Sequence, residues 1–144
     1  MTNKVDRVHI RKSDRELYRN LKEESILKGK TNKELFMLAM AFGIEKLGTQ
    51  IEFKTGEKEG FFLLKELKEY EESLFYAVAV AEDNGLEVIK DKEKVYSICE
   101  GYANAGINSL KEEICSEDFA DFSKRLENML RDKLNNIKKS KNQK

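Results

Sequence analysis

The sequence predicts a mainly α-helical protein, in which an N-terminal β-α-α unit is followed by a compact helical body. Three observations support this fold class. The 144 residues include no proline, which is the residue that disrupts helices most strongly. Two Ser/Thr-x-x-Glu strings stand where helices would begin, as capping boxes do. Apolar residues then recur at the spacing of one helix face.

The first element is a short strand with two unlike faces. Apolar and polar side chains alternate from Val5 to Lys12, which is the period of a β-strand. The alternation directs Val8 and Ile10 toward the core. Arg7, His9 and Arg11 then share the opposite, basic face of the strand.

Two capped helices follow this strand. Ser13 and Glu16 form the capping box of a helix over 14–28, and Thr31 and Glu34 form that of the next helix. The centre of the second helix is apolar all round. It must therefore be buried on more than one side, by the rest of the chain, by a second copy or by both.

The helical body occupies 49–137 in our division of the chain, after the β-α-α unit at 1–48. A short strand or extended loop comes first, and a helix is predicted to start at Phe61. An apolar run at 73–81 predicts another helix. A helix capped by Asp91 follows, and the last helix is amphipathic and starts within 116–119. The basic tail at 138–144 is expected to be disordered.

Two glycines interrupt the pattern of the helix that Asp91 caps. Gly101 and Gly106 each cost about 1 kcal/mol relative to alanine inside a helix. A kink, a close helix contact or a binding surface would justify this cost. We favour close packing of helices.

Charge is segregated along the chain although the net charge is zero. Lys and Arg outnumber Asp and Glu by eleven to seven over 1–48, and by eight to three over 119–144. Over 49–118 the acids lead by seventeen to eight. The basic ends suit a polyanion, and the acidic middle suits a basic partner or the basic ends themselves. The alternative is an ordinary solvated surface.

Strand, capped helix, Gly29-Lys30-Thr31 turn and apolar helix together resemble the ribbon-helix-helix family of DNA-binding proteins, from Val5 to Leu47. This resemblance implies that two chains pair their strands into a ribbon that enters the major groove. It implies DNA contacts from the strand and from the start of the second helix. The predicted contact residues are Arg7, His9, Arg11, Lys12, Lys30, Thr31, Asn32 and Lys33. The alternative is that the strand pairs within the chain and the arginines are only solvated.

A second resemblance rests on three strings between residues 30 and 115. They are Lys33–Gly43, the helix end and link at 79–89, and Tyr102-Ala103-Asn104-Ala105-Gly106-Ile107. Together they are similar to the DNA phosphorothioation-associated protein 4 family. Such proteins are encoded beside sulfur-modification and restriction genes that protect bacteria and archaea from phage. This resemblance implies a cellular context but no catalytic residue.

The sequence carries no recognisable catalytic motif. It contains no phosphate-binding loop, dinucleotide fingerprint or zinc-protease motif. The lone His9 cannot supply a multi-histidine metal site, and Cys99 and Cys115 have the surroundings of buried structural thiols. No apolar run is long enough to span a membrane. We therefore predict no enzymatic activity, no cofactor, no metal and no membrane partner.

The prediction is a cytoplasmic, non-enzymatic DNA-binding accessory protein of a phosphorothioation-linked anti-phage defence system. Its expected partners are double-stranded DNA, in plain or phosphorothioated form, and other proteins of the defence system. A homodimer or higher oligomer is expected, since a ribbon needs two chains. Two alternatives stay open: an adaptor subunit of a larger defence complex, and a ribbon-helix-helix transcriptional repressor or antitoxin.

Overall fold

The computed structural model describes residues 5–24, 27–115 and 119–142. Within these ranges, two strands and five helices follow one another, with single helical turns between some of them. They are β1 (Arg7–Arg11), α1 (Arg15–Glu24), α2 (Asn32–Phe42), β2 (Lys58–Leu63), α3 (Glu69–Asp83), α4 (Lys92–Cys115) and α5 (Phe119–Asn142). The predicted fold class, mainly α with a β-α-α start, is confirmed.

The strand β1 pairs antiparallel with β2 of the same chain. Val8 lies opposite Phe62, and a bulge separates Val8 from His9. Val8 and Ile10 are buried as predicted, whereas the amide of His9 donates to the carboxylate of Glu100 on α4. β1 therefore pairs within the chain, as the alternative interpretation held, and the pairing of β1 with a second copy stays a prediction.

The prediction of a helix that starts at Phe61 is wrong, since this segment forms the strand β2. Phe61 is the extra residue of the bulge in β2, and its ring lies edge to face with that of Phe62, with centroids 6.4 Å apart. The ring of Phe61 packs on Tyr18 of α1, with centroids 4.6 Å apart. The ring of Phe62 packs on Phe36 of α2 at 5.6 Å. Pairing with β1 thus places both aromatic rings against helices of the same unit.

Local signals fixed the two ends of α2. Thr31 and Glu34 form the predicted capping box. A wider helical turn, Gly43–Leu47, extends the helix to Gly48, whose φ of 60° is left-handed. At α1 the prediction was less accurate, because Ser13 lies inside a 3-10 turn, Lys12–Asp14, instead of acting as the cap.

An aromatic row forms the centre of the first compact unit, residues 1–111. The ring of Phe36 stacks on Phe75 of α3 at 6.0 Å, and Phe75 packs on Tyr96 of α4 at 5.5 Å. All three residues are almost completely buried. The core therefore joins both strands to α2, α3 and α4.

The turn after α2 crosses α4 at backbone contact, and glycines make this possible. A Cβ on Gly106 would lie 1.9 Å from the carbonyl oxygen of Ala39, and one on Gly43 would lie 1.9 Å from that of Tyr102. At Gly101, the side chain of Gln50 takes the space of a Cβ, at 2.7 Å. The prediction of close helix packing is confirmed for Gly106, whereas Gly101 packs on a side chain of the segment before β2.

The predicted boundary at residue 48 falls inside the first unit, because β1 pairs with β2 across it. The second unit, residues 112–144, contains the end of α4 and α5. The predicted disordered tail begins inside α5, which is helical to Asn142, and 143–144 lie outside the described residues. The predicted start of this helix at 116–118 also lies outside them. Within the described ranges, no helix is both long and apolar enough to cross a bilayer.

Candidate functional site

The predicted basic face of β1 is only partly exposed. The side chain of Arg7 keeps 49% of its surface open and pairs with the neighbouring Asp6 at 2.9 Å. His9 instead turns toward α4, where Oε2 of Glu100 lies 3.1 Å from Nδ1. The side chain of Lys12 is exposed.

Arg11 is a packing residue rather than an outward one. Its Nε donates to Oδ2 of Asp14 at 2.6 Å, and its Nη2 donates to the carbonyl of Asn104 at 2.9 Å. Only 14% of its side-chain surface is open. Arg7, His9 and Arg11 therefore do not form the outward trio that the alternation predicted, because α4 lies over the latter two.

The start of α2 already holds an anion. The amide and hydroxyl of Thr31 donate to Oε1 of Glu34 at 3.1 Å, which lowers the pKa of Glu34. The carboxylate of Glu34 thus occupies the amide of Thr31, the first of the amides predicted to bind a phosphate. Asn32 donates to the carbonyl of Phe61 at 3.2 Å and accepts from Lys22. The predicted phosphate contact at Thr31 and Asn32 therefore competes with existing hydrogen bonds.

Lys33 lies in a partly buried ion pair. Its Nζ donates to Oε1 of Glu71 on α3 at 2.8 Å and to the carbonyl of Glu66 at 3.1 Å. Only 13% and 8% of the Lys33 and Glu71 side-chain surfaces are open. Burial alone would raise the pKa of Glu71, but hydrogen bonds from Lys33 and from the Lys68 amide lower it further than burial raises it.

Replacing Lys33 with methionine is expected to reduce the pH-dependent stability that Glu71 contributes. In the native chain the lowered pKa makes this contribution present above the unfolded-state pKa, and it is lost as pH falls through the folded pKa. Without Lys33, burial is opposed only by the amide and the charge of Lys68, so the pKa of Glu71 is lowered less and its ionised form loses much of its stabilisation. We expect Tm to fall by roughly 5 °C near pH 7 and by much less near pH 4.

The double variant Lys33→Met/Glu71→Gln is the control for this prediction, since the Gln oxygen can still accept from the amide of Lys68. It should recover most of the lost Tm near pH 7. A Tm loss in Lys33→Met that is independent of pH would contradict the assigned ion pair.

Basic side chains do surround an open concavity beside the start of α2. Its volume is about 560 Å³, and Lys22, Lys28 and Lys30 line it together with Glu23 and Glu66. Lys30 is half exposed and lies 3.7 Å from a carboxylate oxygen of Glu34. Acids are therefore interspersed with the bases at this corner of the fold.

A small polar cavity of about 250 Å³ lies between β1 and α4. Its most buried charged group is Glu100, which is 3% exposed. Burial raises the pKa of Glu100, although the amide and ring of His9 act against this shift. Since Oε2 of Glu100 accepts from the His9 amide, the pair serves to fasten β1 to α4.

An apolar groove lies between α2 and α3, and we call it the α2–α3 groove. Its volume is about 530 Å³. The α2 wall consists of Met37, Met40, Ala41 and Ile44. These positions follow the i, i+3, i+4, i+7 spacing of one helix face. The opposite face of α2 supplies Leu35, Phe36 and Ala39 to the core.

The wall from α3 repeats the same spacing. It consists of Leu74, Ala77, Val78 and Ala81, whereas Phe75 and Ala79 of the same helix enter the core. Both helices are therefore apolar on two sides, and the groove lies between their outward stripes. Leu74 and Ile44 remain 49% and 38% exposed.

Polar groups are confined to the part of the groove near the end of α3. Glu82 and Tyr102 are the lining residues there. Tyr102 donates its hydroxyl to Glu82, and this hydrogen bond together with burial raises the pKa of Tyr102 to about 12. Gln50 donates to the other oxygen of Glu82 at 3.0 Å. The carboxylate is therefore held in place beside apolar walls.

Sequence reasoning missed Glu82, Tyr102 and Glu100 as site residues. The signal for the groove was present at 74, 77, 78 and 81, because an apolar stripe at this spacing accompanies the core positions 75 and 79. The sequence also predicted that α2 needs cover on more than one side. It gave no indication that the two outward stripes face the same groove.

Cys99 is a buried thiol, as predicted. It is completely buried, its Sγ lies 3.5 Å from the carbonyl of Phe75, and burial raises its pKa. The side chain of Cys115 lies outside those described. Among the described residues, no group of three or more His, Cys, Asp or Glu side chains is placed to hold a metal ion.

Comparison with known proteins gives one match. The model of the family described as DNA sulphur modification system-associated protein 4 matches residues 7–144. No curated protein and no solved structure matches the chain.

Proposed function

Because the chain belongs to the family of DNA sulphur modification system-associated protein 4, we propose that it is a non-enzymatic accessory protein that docks another protein of such a system. The docking surface in this proposal is the α2–α3 groove. The protein acts in the cytoplasm, where the DNA lies, and contributes to anti-phage defence as an adaptor subunit.

The observation that carries this proposal is the pair of outward stripes on α2 and α3. An apolar surface of this kind costs free energy in water, and on soluble proteins it commonly marks an interaction site. Met37 adds an unbranched side chain that adapts to a partner's shape, whereas Met40, which is buried, forms the floor of the groove. The described residues that line the groove are apolar apart from Glu82 and Tyr102. This composition favours a protein-binding surface over a catalytic site.

The direct test is binding of the chain to the other proteins of its own DNA sulphur modification system. We expect at least one of them to bind the native chain. The substitution Ala77→Glu should weaken this binding by about tenfold or more, because it places a charge against the apolar stripe. Ala77 is exposed, so the fold should tolerate this change.

Asn108→Glu is the matched control, since it adds the same side chain at an exposed position of α4. This variant should bind as the native chain does. If none of the system's proteins binds, the adaptor role is wrong. If Ala77→Glu and Asn108→Glu bind equally well, the docking surface lies elsewhere.

Direct DNA binding is the second candidate, and the concavity lined by Lys22, Lys28 and Lys30 favours it. Arg7, Lys12 and Thr31 are also exposed. Neighbouring carboxylates and the occupied start of α2 weaken this candidate relative to docking. Duplex binding measured across salt distinguishes the two, because phosphate contacts give a log–log slope of about −0.9 for each phosphate neutralised.

A further inference from the structure

We propose that the α2–α3 groove receives an amphipathic helix of a partner protein, and that this helix places a lysine or arginine beside Glu82. The inference rests on the proposed docking function and adds the chemistry of the docked element. It follows from the spacing of the groove walls and from the charge at one part of the groove.

The shape of the groove fits a helix. Both walls are helical faces with the i, i+3, i+4, i+7 spacing, and a third helix with the same spacing can pack between them. Leu74 and Ile44, the partly exposed large side chains of the two walls, would contact its apolar stripe. Helix-in-groove recognition uses this pattern of anchors.

The charge in the groove indicates which kind of side chain the docked helix carries near one of its ends. Glu82 is the charged group among the described residues that line the groove. It lies in the last turn of α3, where the helix dipole adds further negative potential. Hydrogen bonds from Tyr102 and Gln50 fix the carboxylate without neutralising it. A cationic side chain is therefore the complementary group.

The other charged side chains of α3 are also negative. Its sequence contains five acidic residues and no basic one. Lys33 and Lys94 pair with Glu71 and Asp83, which leaves three carboxylates of α3 without a cationic partner among the described residues. A symmetric dimer that paired two grooves face to face would bring these like charges together. A basic helix from another protein avoids that repulsion.

The test uses the full-length chain and three labelled synthetic peptides of about 18 residues, long enough for five helical turns. Two peptides carry the same leucine stripe, with two lysines in one end turn of the first and two glutamates at the same positions of the second. In the third, serine replaces the leucines of the lysine peptide. Fluorescence anisotropy measures the binding of each.

We expect the lysine peptide to bind about tenfold more tightly than the glutamate peptide at low salt, and this preference should shrink as salt is added. The serine peptide should not bind. Glu82→Gln should reduce the preference to about threefold or less, because the amide keeps an acceptor for Tyr102 but loses the charge. Glu87→Gln, at a position 85% exposed outside the groove, is the control and should retain the preference.

Three outcomes would overturn the inference: equal affinity of the lysine and glutamate peptides, a preference that Glu82→Gln leaves intact, or self-association of the chain that Ala77→Glu abolishes. The last result would place a second copy in the groove. These outcomes are separate from failure of the docking function, which is judged by binding of the system's own proteins.

Discussion

Replacing Gly106 with alanine is expected to destabilise the protein by at least about 3 kcal/mol. Helix propensity alone predicts the opposite, a gain of about 1 kcal/mol. At this position, however, the new Cβ would lie 1.9 Å from the carbonyl oxygen of Ala39 and 2.3 Å from the amide nitrogen of Gly43. Both are backbone atoms, so the clash is relieved only by separating the elements that cross there. Urea unfolding followed by circular dichroism measures the difference.

Gly85→Ala is the control for this prediction. No atom lies within 4 Å of a Cβ at Gly85, and its backbone is extended, with φ −177°. The same substitution should therefore be neutral or stabilising by up to about 1 kcal/mol. A Gly106→Ala variant as stable as the native chain would mean that α2 and α4 do not cross at backbone contact.

Arg11→Ala is expected to destabilise the protein by about 2 kcal/mol. The change leaves the carboxylate of Asp14, which is 6% exposed, without its partner at 2.6 Å. It also removes the hydrogen bond that Arg11 donates to the carbonyl of Asn104 in α4. Chemical denaturation of the native and variant chains gives the difference in free energy of unfolding.

Arg7→Ala is the matched comparison, because both arginines belong to β1 and Arg7 pairs with the exposed, adjacent Asp6. It should leave the free energy of unfolding unchanged within error. Equal stability of both variants would mean that Arg11 is a surface residue, as the strand alternation alone predicted. Equal loss in both would contradict the exposed position of Arg7.

Elements with a strong local signal were predicted correctly. The alternation at Val8 and Ile10 indicates a strand, and the Thr31 capping box indicates the start of α2. Both depend on residues close together in the chain. β2 was not predicted, because Phe61 and Phe62 form an adjacent aromatic pair that fits a helix as well as a strand. Only the pairing with β1, about fifty residues away, decides between them.

The family-specific string around Asn104 also gains a physical explanation. The carbonyl of Tyr102 faces Gly43, and Gly106 contacts the backbone of Ala39. Asn104 is 2% exposed and donates to the carbonyl of Ile51 at 3.0 Å. These residues join α4 to the turn after α2 and to the segment before β2. Their pattern is that of a packing site between α4 and these two segments.

The sequence by itself determined most of the helical segments, the capped start of α2 and the apolar character of α2 on more than one side. These properties depend on side-chain period and on hydrogen bonds within one turn of the chain. Tertiary structure alone decided that β1 pairs with β2, that α4 covers His9 and Arg11, and that α2 and α3 share one groove. Each of these depends on contacts between distant segments, and a side-chain pattern specifies the face that must be covered but not the surface that covers it.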